Sequence, residues 1–143
     1  MEITNRDIVA LFQCTQNEEK SWTKNTEINQ LRFAVMNLRD ELTPHYMEIN
    51  QAMTDLVTKH AELDENGNPK MAAKLVSISD PTAPQKKEII WKTSIEEYQK
   101  EEMEYMKTMR DVSIRKYELE KLLECKPKYT DENLYPIIKT VSL

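Results

Sequence analysis

The sequence predicts a mainly α protein: a long helical hairpin, kinked near Pro44, with short flanking helices and one or two short strands. Three observations carry this. Glycine occurs once in 143 residues, where a usual frequency of ~7% would supply about ten. An apolar stripe with helical spacing runs from Ile28 to Leu63. Charged residues make up 31% of the chain against 39% apolar, which suits helices that bury one stripe and wet the rest. The shortage of glycine excludes dinucleotide and P-loop folds, whose phosphate-binding turns need it, and equally a β-sandwich. No apolar run reaches the ~18 residues of a membrane span, and the polar start Met1–Asp7 is no signal peptide. A soluble single domain over residues 1–143 is the expectation.

The first element is a short helix. Thr4 is placed to cap it, with Asp7 at the third helical position, and Ile8, Leu11 and Phe12 give it one apolar face. Asn17–Trp22 then interrupts the pattern and reads as a linker.

The second element is the long helix. Ile28, Leu31, Val35, Leu38, Leu42, Tyr46, Ile49, Met53, Leu56, His60 and Leu63 recur in steps of three and four, a near-heptad stripe with one stutter. Asn25 or Thr26 can cap its start. Pro44 sits at the stutter, where two readings are open: a kink in one helix, or Thr43-Pro44 as the cap and first residue of a fresh one. The stripe runs through the proline, which favours the kink. Whether the stripe is internal core or an interface the pattern leaves open.

Asp64–Pro69 ends this helix. Asn66-Gly67 supplies the positive φ of a tight turn, and Pro69 blocks resumption of the helix. The acidic residues lack the alternating ligands and distal glutamate of a calcium loop. Leu75–Ile78 reads as a short strand, Asp80–Pro84 as a loop, and Lys86-Lys87 as a solvated pair. A further long helix is expected over Glu88–Arg110, with Trp91, Ile95, Tyr98, Met106 and Met109 on one side and Glu96 or Glu97 paired with Lys100 on the other. Residues 112–117 suit strand or helix. A short strand to about Tyr117 is preferred, then a helical turn at Leu119–Leu123. Thr130-Asp131-Glu132 caps a terminal helix bearing Leu134, Ile137, Ile138 and Val141.

The order of these features resembles a family of small uncharacterised proteins encoded by tailed bacteriophages and prophages of Gram-positive bacteria. The residues that carry the likeness are Leu38-Arg39-Asp40-Glu41-Leu42, Asp64-Glu65-Asn66-Gly67-Asn68, Tyr117-Glu118-Leu119 and Thr130–Ile138. The resemblance implies a viral origin, with a place in the bacterial host cytoplasm or on the virion. It implies no catalytic residues.

The residues themselves offer little chemistry. Net charge is −5, from 20 basic and 25 acidic side chains, which is no footprint for nucleic acid. Neither nucleic acid nor membrane is an expected partner. Cys14 and Cys125 read as reduced, buried thiols, too few for a closed zinc site. His45 and His60 lie roughly 22 Å apart along one helix, too far to share a metal. His60 continues the apolar stripe and reads as a half-buried packing residue. Glu96, Glu97, Glu101, Glu102 and Glu104 read as a solvated face, since no Glu-x-x-His pair accompanies them. No catalytic, cofactor or metal site is expected. Met103, Met106 and Met109, spaced by three beside Tyr98 and Tyr105, suit an adaptable contact surface; core packing is the competing reading.

The leading expectation is therefore a non-enzymatic interaction or assembly protein that uses its helical hairpin to bind a protein partner or itself as a homo-oligomer. The alternative is a phage-encoded inhibitor of a host or defence protein.

Overall fold

A computed structural model describes residues 1–22, 30–75, 85–123 and 134–143. Its elements in chain order are β1 (Glu2–Thr4), α1 (Asn5–Trp22), α2 (Gln30–His60), β2 (Met71–Leu75), β3 (Gln85–Ile89), α3 (Ile95–Met106), β4 (Met109–Asp111), α4 (Leu119–Leu123) and α5 (Leu134–Val141). The protein is mainly α. It divides into two compact units, the first made of Met1–Ile49 with Met106–Leu143 and the second of Asn50–Tyr105.

In the first unit the Thr4 hydroxyl accepts the Asp7 backbone N–H at 3.1 Å, the expected N-cap of α1. The expected linker at Asn17–Trp22 is instead the end of α1, which runs to Trp22; its charged residues are compatible with a helix and hold no glycine or proline to stop one. The stripe of α2 is internal core over its first half: Leu31, Val35, Leu38, Leu42 and Ile49 are buried. They pack in a core that also takes Ile8, Leu11 and Phe12 from α1, Leu122 from α4, and Leu134, Ile137 and Val141 from α5. Each such side chain contributes about 1.5–3 kcal/mol by leaving water. Phe12 stacks on Tyr46, with ring centroids 4.0 Å apart. α2 runs unbroken through Pro44, so Thr43-Pro44 does not start a second helix. Pro44 removes one helical hydrogen bond, while the Thr43 hydroxyl donates to Arg39 O at 2.7 Å.

A small sheet closes this unit. β1 pairs antiparallel with β4, Ile3 opposite Arg110. Buried Asn5 donates its N–H to Thr108 O at 2.9 Å and accepts Arg110 Nε at 2.7 Å, and Arg110 reaches Glu48 at 2.5 Å. The strand preferred over residues 112–117 does not form: the chain leaves β4 at Asp111 and runs without strand or helix to Tyr117. Tyr117 instead forms an isolated parallel bridge to Ser142, its N–H donating to Val141 O at 2.8 Å. The helical turn at Leu119–Leu123 and the terminal helix fall where the sequence places them.

In the second unit α2 ends at His60, three residues before the last stripe position. Ala61 bridges to Trp91 and Leu63 to Pro69. Asp64 organises the turn between them, its carboxylate accepting the N–H groups of Asn66 and Asn68 at 2.9 and 3.0 Å. Gly67 has φ +80° there, the left-handed conformation the sequence asked of it. The chain then enters an antiparallel ribbon, β2 with β3, Met71 opposite Ile89.

The helix expected over Glu88–Arg110 is shorter at both ends. Glu88 and Ile89 lie in β3. The N–H groups of Ile90 and Lys92 donate to Lys70 O and His60 O at 2.9 and 2.8 Å, so they are committed to tertiary partners rather than to a helix. Ser94 then caps α3, its hydroxyl accepting Glu97 N–H at 3.4 Å. The helix stops at Met106, because Met109 is needed by the β1 pairing. The expected caps at Asn25, Thr26 and Thr130, the strand beyond Leu75, the loop at Asp80–Pro84 and Cys125 lie outside the described residues.

Candidate functional site

Among the described residues of the second unit only His60 and Ala61 are buried, so this unit is organised around a polar side chain. His60 is the last residue of α2, carried inward by the stripe. Its Nε2 lies 2.9 Å from Glu101 Oε2 and its Nδ1 lies 2.7 Å from Thr93 Oγ1. An ionised carboxylate only accepts, so in the neutral ring Nε2 carries the proton and Nδ1 accepts from the Thr93 hydroxyl. Lys59 Nζ approaches the same carboxylate at 3.1 and 3.3 Å. The hydrogen bond from His60, then that from Lys59, hold the Glu101 carboxyl below the ordinary carboxylate range.

An aromatic wall adjoins the cluster. Trp91 stacks on Tyr98 at 4.5 Å between centroids, and Tyr98 meets the His60 ring edge-on at 6.1 Å. Burial, then the hydrogen bond and charge of Glu102, push the Tyr98 phenol up to about 12.

Hydroxyl, imidazole and carboxylate in series is also the order of a nucleophilic relay. Here, however, the N–H groups of Lys92 and Thr93 both point to His60 O, at 2.8 and 3.4 Å, and neither is left to stabilise an oxyanion. The arrangement works as a polar staple, fastening the segment before α3 and the middle of α3 to the end of α2. Among the described residues no three of His, Cys, Asp and Glu are grouped to hold a metal ion.

The sequence-predicted contact residues fall in different places. Tyr98 and Tyr105 are half-buried on α3, Met103 is 50% exposed on it, and Met106 is its half-buried last residue. Met109 is 51% exposed but belongs to β4, so the three-residue spacing of the methionines is not one helical face. Asn66 and Gly67 form the turn assigned to them. His60 is more than a half-buried packing residue: it is 3% exposed and hydrogen-bonded at both nitrogens. Glu101 leaves the predicted solvated face to meet it. Cys14 is half-buried.

Gln99, which the pattern missed, completes the outer face of α3. The helix has no buried residue. Ile95, 42% exposed, and Met103 lie eight positions apart with exposed Gln99 between them, a stripe in steps of four. That spacing is legible in the sequence once the helix is known to start at Ile95. Exposed Glu96 and Lys100 flank it and make no ion pair with any described residue, so the expected pairing of Lys100 with Glu96 or Glu97 is not formed. No described helix is long and apolar enough to cross a membrane. No protein-family model, curated protein or solved structure matches this chain.

Proposed function

We propose that the chain is a phage-type interaction or assembly protein, without catalysis of its own, that binds a protein partner or another copy of itself through the outer face of α3. The supporting observation is that all twelve residues of α3 lack full burial while Ile95 and Met103 stand 42% and 50% exposed. Apolar side chains on a rigid helix, methionine among them, are what an adaptable contact surface needs. The staple at His60 supports this reading, since a helix with so little core of its own must be fixed by other means to present a defined face.

The test is photo-cross-linking in cells. A photoreactive residue in place of Met103 should capture a protein, this chain included, at a level well above the same residue in place of exposed Glu65. Equal capture from the two positions overturns the proposal.

A further inference from the structure

We infer that the partner of α3 is a second copy of the same helix, packed antiparallel about a two-fold axis at Gln99; this rests on the interaction reading above and names its partner. The outer stripe of α3 has the same order, apolar then polar then apolar, in both directions. Running one copy against the other about Gln99 sets Ile95 opposite Met103 and Met103 opposite Ile95, apolar on apolar at both ends. Gln99 meets its own copy at the axis, where each side-chain amide has a donor and an acceptor to exchange. An interface of this kind is isologous, so each contact occurs twice.

The charges agree with the same register. Glu96 and Lys100 each follow a stripe residue by one position and therefore lie on one flank of it. A two-fold axis perpendicular to both helices keeps that flank on the same side of the pair. Glu96 of one copy then lies beside Lys100 of the other, twice per dimer. Both side chains are exposed, and neither is ion-paired within the described residues, so the pairing is formed rather than exchanged. Glu97 and Glu104 fall on the far side of the helix, away from the contact. Nucleic acid is a poor occupant of this helix, whose five glutamates face one lysine.

Two twelve-residue helices cover less than the ~1,200 Å² of a stable interface. The dimer is therefore weak, with a dissociation constant on the order of 0.1 mM. Sedimentation of the full chain from about 10 µM to 1 mM should show concentration-dependent dimer. Gln99→Cys should cross-link to its own copy under mild oxidation, above the background set by Cys14 and Cys125, because a dyad brings its two Cβ atoms within disulfide reach; Glu65→Cys should not. Glu96→Lys or Lys100→Glu alone should weaken the dimer by about fivefold, and the two together should restore it.

A chain that stays monomeric at 1 mM overturns the inference. So does a dimer in which Gln99→Cys fails to cross-link, or in which the double charge reversal restores nothing. Photo-capture of a different protein from position 103 also overturns it, while sustaining the interaction reading. Equal photo-capture from positions 103 and 65 removes both.

Discussion

Replacing Gly67 separates backbone strain from crowding. An added Cβ would meet nothing within 4 Å, so a methyl group is not crowded at this position. The cost lies in φ +80°, which raises the energy of an ordinary L-residue by about 1–2 kcal/mol. Part of this is offset because the unfolded chain loses freedom when glycine is removed, by about 0.4–1 kcal/mol. Gly67→Ala should therefore destabilise by about 1 kcal/mol. Gly67→Val should cost about 2–3 kcal/mol, since a β-branched residue is a genuine outlier at positive φ. Gly67→Asn should be the mildest, because asparagine tolerates the left-handed region. In thermal unfolding followed by circular dichroism, each kcal/mol should lower Tm by about 3–5 °C. The ranking is the discriminating result. Asparagine is larger than alanine, so a variant series in which stability falls with side-chain volume would refute the strain account. A valine variant as stable as the parent would refute the turn itself.

Two further outcomes follow from the polar cluster. Glu101 has its carboxyl pKa lowered by His60 and Lys59; the stability this links is present above about 4.5, the ordinary value, and is lost as pH falls through the lower folded value. Acid unfolding should accordingly be steeper below that pH for the parent than for Glu101→Gln, and equal slopes would sink the assignment. Tyr98, raised from 10.0 to about 12, links stability that is intact below pH 10 and lost as pH climbs toward the folded value. Tyrosinate absorbance should show a late ionisation that disappears in Tyr98→Phe.

What the sequence disclosed was what local physics determines. The stripe from Leu31 to Ile49 announces buried positions because helical spacing alone brings them to one side. Thr4 and Gly67 each perform a task defined within four residues of themselves, and Leu119–Leu123 is a helix by propensity and pattern. The strands were less visible. Gln85-Lys86-Lys87-Glu88-Ile89 has no apolar alternation, and only pairing with Met71–Leu75 makes it extended. Met109 belongs to a strand because Thr4 lies opposite it, a partner more than a hundred residues away. His60 shows the same divide within one residue. The stripe announced its burial, but Thr93 and Glu101 reach it across 33 and 41 residues, and an acid among five on one helix carries no sign of which histidine it will meet. Ile95 was obscured differently, since a helix assumed to begin at Glu88 placed it within the element rather than at its start.

The first unit is interrupted by the second, and this has a consequence for how the protein is made. Ile8, Leu31, Leu38, Leu42 and Ile49 leave the ribosome early, whereas Val112, Leu122, Ile137 and Val141, which share their core, come last. At about 5–20 residues per second the early half waits roughly five to twenty seconds for its complement. Throughout that interval the apolar side of α2 lacks its partners from α4 and α5, the kind of exposed surface that favours aggregation. Asn50–Tyr105 is contiguous, emerges in between, and can close its His60 staple while the larger core is still open. In the order of synthesis, the residues of the second unit are therefore all present before those that complete the core of the first.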